Sequence, residues 1–132
     1  MPLYSGKHLV HYGQIGMWDS GDPSAYPTPE GPLPWWGANG VVVPARTDEH
    51  VKVVVFDAQA DKEPIEAFST EYTFLSQGTF CVGSGAVTIG NITTASTTTV
   101  PISNGTYEVS AYFLGRDPAD TAEVAFQLKL IK

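Results

Sequence analysis

The residues of this 132-residue chain that could do chemistry are three His, one Cys and fourteen Asp and Glu. Their spacing argues against most of what they could do. His8 and His11 form an H-x-x-H pair, which would share a face on a helix. On a strand, residues three apart point to opposite faces, so the pair reads as two strand histidines and not as a metal site. Asp48, Glu49 and His50 place oxygen and nitrogen donors at three consecutive positions. Consecutive residues seldom converge on one ion, and no second cluster completes a ligand set, so these read as the tip of a hairpin. Asp117 and Asp120 read as capping and solvating residues.

Nucleophiles are no better supported. No serine lies in a G-x-S-x-G elbow, and Ser84, flanked by Gly83 and Gly85, has a turn pattern. Cys81 lies in the apolar stretch Thr79-Phe80-Cys81-Val82, where a buried, inert thiol is expected. There is no G-x-x-x-x-G-K-[ST] phosphate loop and no G-x-G-x-x-G fingerprint. Paired carboxylates could drive glycoside hydrolysis, but the distance between them is not written in the sequence. The expectation is a protein without catalysis, cofactor or metal.

The elements that would carry these residues are strands. Val51, Val53 and Val55 share a face of the His50 to Phe56 run, and Phe68, Thr70, Tyr72 and Phe74 share a face of the next. Tyr107, Val109, Ala111 and Phe113 alternate with Thr106, Glu108 and Ser110. Val124, Phe126, Leu128 and Leu130 alternate with Glu123, Gln127 and Lys129, the cleanest period of two in the chain. Asn104-Gly105 is a hairpin signal between Thr97–Ile102 and Tyr107–Leu114. Gly83-Ser84-Gly85 joins Phe80–Val82 to Val87–Ile89, and Thr47-Asp48-Glu49 joins Val41–Arg46 to Val51–Phe56. The run from Leu9 to Trp18 alternates less cleanly, and Gly13 and Gly16 suggest a bulge or a close backbone approach. Asp117-Pro118-Ala119-Asp120 has a capping residue, a proline at the first helical position and an acid in the first turn, so one helical turn is expected there. Lys62 to Glu66 could form another. Eight or nine short strands with frequent turns predict an all-β antiparallel sandwich in a single domain over residues 1–132.

The Ser20 to Gly37 segment stands apart, with Pro23, Pro27, Pro29, Pro32 and Pro34 beside Tyr26, Leu33, Trp35 and Trp36. Proline fixes φ and cannot donate to a ladder, so an extended connection is expected. It reads as a flap whose tryptophans seal one end of the sandwich, or as a binding surface in which Tyr26, Trp35 and Trp36 stack on a small ligand such as a carbohydrate.

At 14.2 kDa the chain is long enough for one core and too short for two. Hydrophobic residues are 42% and charged residues 16%, too apolar per charge for a disordered chain. The uninterrupted apolar runs, such as Val53 to Phe56, are far short of the ~20 residues a membrane helix needs. A lone cysteine suits a reducing cytosol, and Met1 to Tyr12 has no apolar signal-peptide region, so a cytoplasmic location is expected. Asn91-Ile92-Thr93 and Asn104-Gly105-Thr106 match the glycosylation pattern and read here as polar turns.

Seven Lys and Arg against fourteen acids give a net charge of −7, which disfavours direct nucleic-acid binding and favours a basic protein partner. Asp57, Asp61, Glu63, Glu66 and Glu71 cluster around a single base, Lys62. The expected partner-binding residues are Asp61, Glu63 and Glu66, with Trp35 and Trp36. Pairing of sandwich edges between subunits would instead make an assembly protein.

The order of features is similar to that of the competence protein J family. An early strand around His11-Tyr12-Gly13-Gln14 ends near Trp18-Asp19, a Pro- and Trp-containing connection follows, and a hairpin spans Gly40 to Phe56. Gly105-Thr106-Tyr107 then starts a strand that leads into a Pro-containing acidic loop and a terminal alternating strand. The resemblance implies a small acidic bacterial protein that inhibits a DNA-entry nuclease by occupying its basic cleft.

Overall fold

A computed structural model describes residues 2–21, 25–58 and 71–132. Its strands are β1 (Tyr4–Val10), β2 (Gln14–Asp19), β3 (Trp35–Gly37), β4 (Gly40–Pro44), β5 (Glu49–Asp57), β6 (Tyr72–Val82), β7 (Ala86–Asn91), β8 (Ser96–Pro101), β9 (Gly105–Leu114) and β10 (Glu123–Leu130). They form two five-stranded sheets, one in the order β1-β5-β10-β9-β6 and the other β3-β4-β2-β7-β8. All pairs are antiparallel except β5 with β10, which run parallel from Glu123 opposite Lys52 to Leu128 opposite Asp57. The all-β sandwich is as expected. The described strands number ten because the Leu9 to Trp18 run splits between the two sheets and Trp35–Gly37 forms a strand of its own.

The core is what the alternation predicts. Val51, Val53 and Val55 of β5, Tyr107, Val109 and Ala111 of β9, and Val124, Phe126 and Leu128 of β10 face Ile15, Met17, Val41, Val43, Val87 and Ile89 of the opposite sheet. β6 changes face along its length. Tyr72 and Phe74 lie on the outer face, where Phe74 meets the Tyr112 ring edge-on at 5.8 Å, whereas Phe80 and Val82 point into the core. A bulge between Phe74 and Ser76 supplies the extra residue that reverses the parity. Phe68 and Thr70, expected on the same face as Tyr72, lie outside the described residues, as does the Lys62 to Glu66 turn.

The expected hairpins at Asn104-Gly105 and at Gly40 to Phe56 are not hairpins. β8 pairs with β7 and β9 with β6 and β10, so Asn104-Gly105 carries the chain from one sheet to the other. Thr47-Asp48-Glu49 does the same between β4 and β5, Gly83-Ser84-Gly85 between β6 and β7, and His11 to Gly13 between β1 and β2. Each crossing contains a residue of positive φ: Tyr12 and Gly13 at 60° and 63°, Asp48 at 59°, Gly85 at 79° and Gly105 at 151°. An arch and a hairpin use the same turn chemistry. What separates them is which strands the two arms pair with, β8 with β7 and β9 with β6 and β10.

Both flanks of the sandwich are closed by contacts between sheets. On one, the Leu9 N–H donates to Ser96 Oγ at 3.0 Å and the Thr94 hydroxyl to the Leu9 carbonyl at 2.8 Å. On the other, the Cys81 N–H donates to the Ala38 carbonyl at 2.9 Å and Asn39 Nδ2 to the Cys81 carbonyl at 3.0 Å. A 3-10 turn at Pro118–Asp120 has the expected Asp117 cap, whose side chain accepts from the Ala119 N–H. Among the described residues no helix is long and apolar enough to cross a membrane.

Candidate functional site

The two histidines of the H-x-x-H pair have different fates. His8 is buried in β1, while His11 lies beyond its end, in the turn to β2, and not on a strand. His8 Nδ1 lies 2.9 Å from the Ser96 carbonyl oxygen and must therefore carry the proton it donates; Nε2 then accepts from the Tyr4 hydroxyl at 2.7 Å. Burial lowers the pKa of this imidazole, and the bond to Ser96 offsets part of that. His11 Nε2 is on the surface, 3.8 Å from Asp48 Oδ1. Among the described residues no three His, Cys, Asp or Glu gather as metal ligands.

Glu49 and Asp120 are turned onto Arg46, at 3.2 and 3.1 Å. These exposed pairs hold the arch after β4 against the 3-10 turn. Cys81 is exposed, contrary to expectation: its Sγ lies 3.3 Å from Thr106 Oγ1 on the outside of the sheet, because Phe80 and Val82 take the inward positions on either side. The two glycosylation-pattern asparagines are structural. Asn91 is buried and donates to the His11 and Gln14 carbonyls, and Asn104 Oδ1 accepts from the Gly85 N–H at 2.6 Å.

Asp19, at the end of β2, has a role the sequence did not announce. Its buried carboxylate accepts from the backbone N–H groups of Gly83, Ser84 and Gly21 at 3.2, 3.3 and 3.5 Å, and from the Ser84 hydroxyl. Burial pushes this carboxyl up, but the Ser84 hydroxyl and the three N–H groups outweigh it and hold the pKa below the usual range. The only signal in the sequence is a carboxylate beside a Gly-Ser-Gly turn sixty residues away. Ser84 is thus part of an anion nest around Asp19 that anchors one arch.

The aromatic residues of the 20–37 connection do not form one stacking face. Trp35 and Trp36 are neighbours on β3, paired with Val42 and Val41, and so point to opposite sides of the sheet. Trp36 packs against the core over Gly78, where a Cβ would stand 2.6 Å from its ring, and its Nε1 donates to Ser76 Oγ at 2.9 Å. Trp35 Nε1 donates to the Gly31 carbonyl at 2.9 Å. Tyr26 meets Trp18 edge-on at 5.0 Å on the outer side of β2, and burial pushes its hydroxyl up to about 12. The described part of the connection is therefore a cover, but not the flap expected to seal one end of the sandwich. It lies over the outer face of β2 and β4 and not over an end of the sandwich, burying its own Ala25 and Val42 of β4.

Asp61, Glu63 and Glu66, expected to contact a partner, lie outside the described residues. The described surface includes concavities. One of about 250 Å³ is lined by Leu3, Asp57, Ile102, Tyr107, Leu128 and Leu130, and one of about 350 Å³ by Arg46, Leu114, Arg116, Asp117 and Asp120. On the outer face of the β1–β6 sheet, Val54, Phe56, Tyr112 and Ala125 form a small second cluster, and the Tyr72 hydroxyl donates to the Glu123 carboxylate beside it.

The geometry defines a sandwich of two five-stranded sheets in which polar side chains such as His8, Asp19, Asn91 and Asn104 hold arches and flanks together. Among solved structures the chain is similar to the crystal structure of ComJ, inhibitor of the DNA degrading activity of NucA, from Bacillus subtilis. The TM-score is 0.63, and the match covers 99% of this chain and 98% of that one at 11% sequence identity. That is a distant likeness, one of fold, and it agrees with the competence protein J resemblance in the order of features. No family model matches the chain, and no curated protein matches it in sequence.

Proposed function

We propose that this chain is a protein-binding inhibitor that occupies the DNA-facing cleft of a basic nuclease. The observation that carries this reading is the end-to-end likeness of fold to ComJ, itself an inhibitor of the DNA degrading activity of NucA. Charge supports it. A cleft that binds DNA is lined with Lys and Arg, and a chain of net charge −7 is steered towards such a surface and away from DNA itself. In this reading the protein acts in the cytoplasm by steric block, without a cofactor, and Asp61, Glu63 and Glu66 add to its acidic surface.

The test is inhibition of DNA degradation. The protein is titrated against NucA and against nucleases captured on it from its own host at low and at high salt. The reading expects at least one nuclease to be inhibited stoichiometrically, with capture that weakens steeply as salt rises. If no nuclease is inhibited, or if binding is indifferent to salt, the reading fails.

A further inference from the structure

Three turns meet around His11 at one end of the sandwich. The His11 carbonyl accepts from Asn91 Nδ2 at 2.9 Å, the Gly13 carbonyl accepts from the Ala45 N–H at 2.9 Å, and the Asp48 N–H donates to the Val10 carbonyl at 2.7 Å. The β1–β2, β4–β5 and β7–β8 turns are thereby braced against one another. Tyr12, 79% exposed, projects from the first of these, and Ile92, 48% exposed, from the third. They are two of the large apolar side chains that the described surface leaves in solvent. The charge beside them is acidic. Arg46 is taken up by Glu49 and Asp120, while Asp48, with four-fifths of its side chain exposed, stands 3.8 Å from His11.

Tyrosine is enriched among residues that carry binding energy, since its large ring has few rotatable bonds to freeze. The Tyr12 backbone is fixed before any encounter, at φ 60° in a braced turn, which lowers the ordering cost of docking further. An apolar anchor flanked by acids complements a surface rich in Lys and Arg. We propose that this end of the molecule, with Tyr12 as the anchor and Ile92, Asp48 and Glu49 beside it, is the surface that docks on the basic face of the nuclease. This rests on the inhibitor reading above and names its contact surface.

The experiment is inhibition of the nuclease blocked in the preceding assay, by wild type and by Tyr12→Gly, Tyr12→Phe, Asp48→Lys and Phe74→Ala. Glycine suits the left-handed backbone at position 12, so Tyr12→Gly keeps the fold while removing the ring. It is expected to weaken inhibition by about tenfold or more with an unchanged or higher Tm. Tyr12→Phe retains most of the inhibition, Asp48→Lys weakens it and flattens its salt dependence, and Phe74→Ala, on the outer face of β6 at the edge of its sheet opposite β1, inhibits as wild type. Wild-type inhibition by Tyr12→Gly, or a loss confined to Phe74→Ala, overturns this surface while leaving the inhibitor reading standing. If the wild-type protein inhibits no nuclease, both fall.

Discussion

His8 in β1 donates from Nδ1 to the carbonyl of Ser96 in β8, so a single imidazole ties the edge strand of one sheet to the edge strand of the other. The same ring accepts from Tyr4 and is almost wholly shielded from water, which makes it sensitive to acid.

The folded state depresses the His8 pKa below its ordinary 6.5, so the unfolded chain binds more protons between the two values. The stability contributed by neutral His8 is complete above pH 6.5 and declines as pH falls below it. Urea denaturation at pH 7.5 and at pH 5 should show a lower midpoint in acid. The difference should shrink in His8→Gln, which is less stable at both.

Gly90 underlies the same contact. Its φ is 139°, and a Cβ there would stand 2.1 Å from the Ser96 carbonyl oxygen and 2.9 Å from His8 Nδ1. Both neighbours are held in place, so Gly90→Ala should lose about 3 kcal/mol or more, combining an unfavourable backbone region with forced separation of β7 from β8. Thermal denaturation would measure it.

Asp19→Ala removes the acceptor shared by the Gly83, Ser84 and Gly21 N–H groups and the Ser84 hydroxyl. The expected cost is about 2 kcal/mol at neutral pH, read from the urea midpoint. Because the native carboxyl titrates below its ordinary range, the wild-type advantage holds above pH 4 and is lost as pH falls through the depressed value.

Trp36→Phe should cost about 1 kcal/mol, since the ring still covers Gly78 but the bond to Ser76 is gone. Tryptophan fluorescence titrated with a panel of glycans should show no saturable shift, because Trp35 and Trp36 point to opposite sides of β3 and Tyr26 is committed to Trp18.

The parts of this fold that are legible in the sequence are those with a strict period of two and a buried face. β5, β9 and β10 show their inward residues directly, because an apolar side chain at every second position has only one way to face a core. The assignment of strands to sheets is not legible. Asn104-Gly105 chooses an arch over a hairpin because β9 finds β6 and β10, a preference decided by residues far away in the chain. The bulge in β6 is hidden for a similar reason: Phe74 and Phe80 look alike until the extra residue at Leu75 turns one out and the other in. Of the candidate site, the proline content of the connection points to an extended segment but not to the sheet face it covers. Tyr12 could not be read either, since Tyr-Gly is not among the strong turn dipeptides and only the tertiary bracing reveals how far the ring projects.

The place of β10 between β5 and β9 has a consequence for how the molecule is made. Translation completes β5 and β6 well before residues 123–130 and β9 just ahead of them, yet the sheet that joins them lacks its middle until that segment arrives. A nascent chain stopped at residue 122 would hold two open seams of unpaired backbone where the finished protein has none. Chaperone capture, premature self-association and sensitivity to truncation should all peak in that interval and vanish once the missing ribbon slots in.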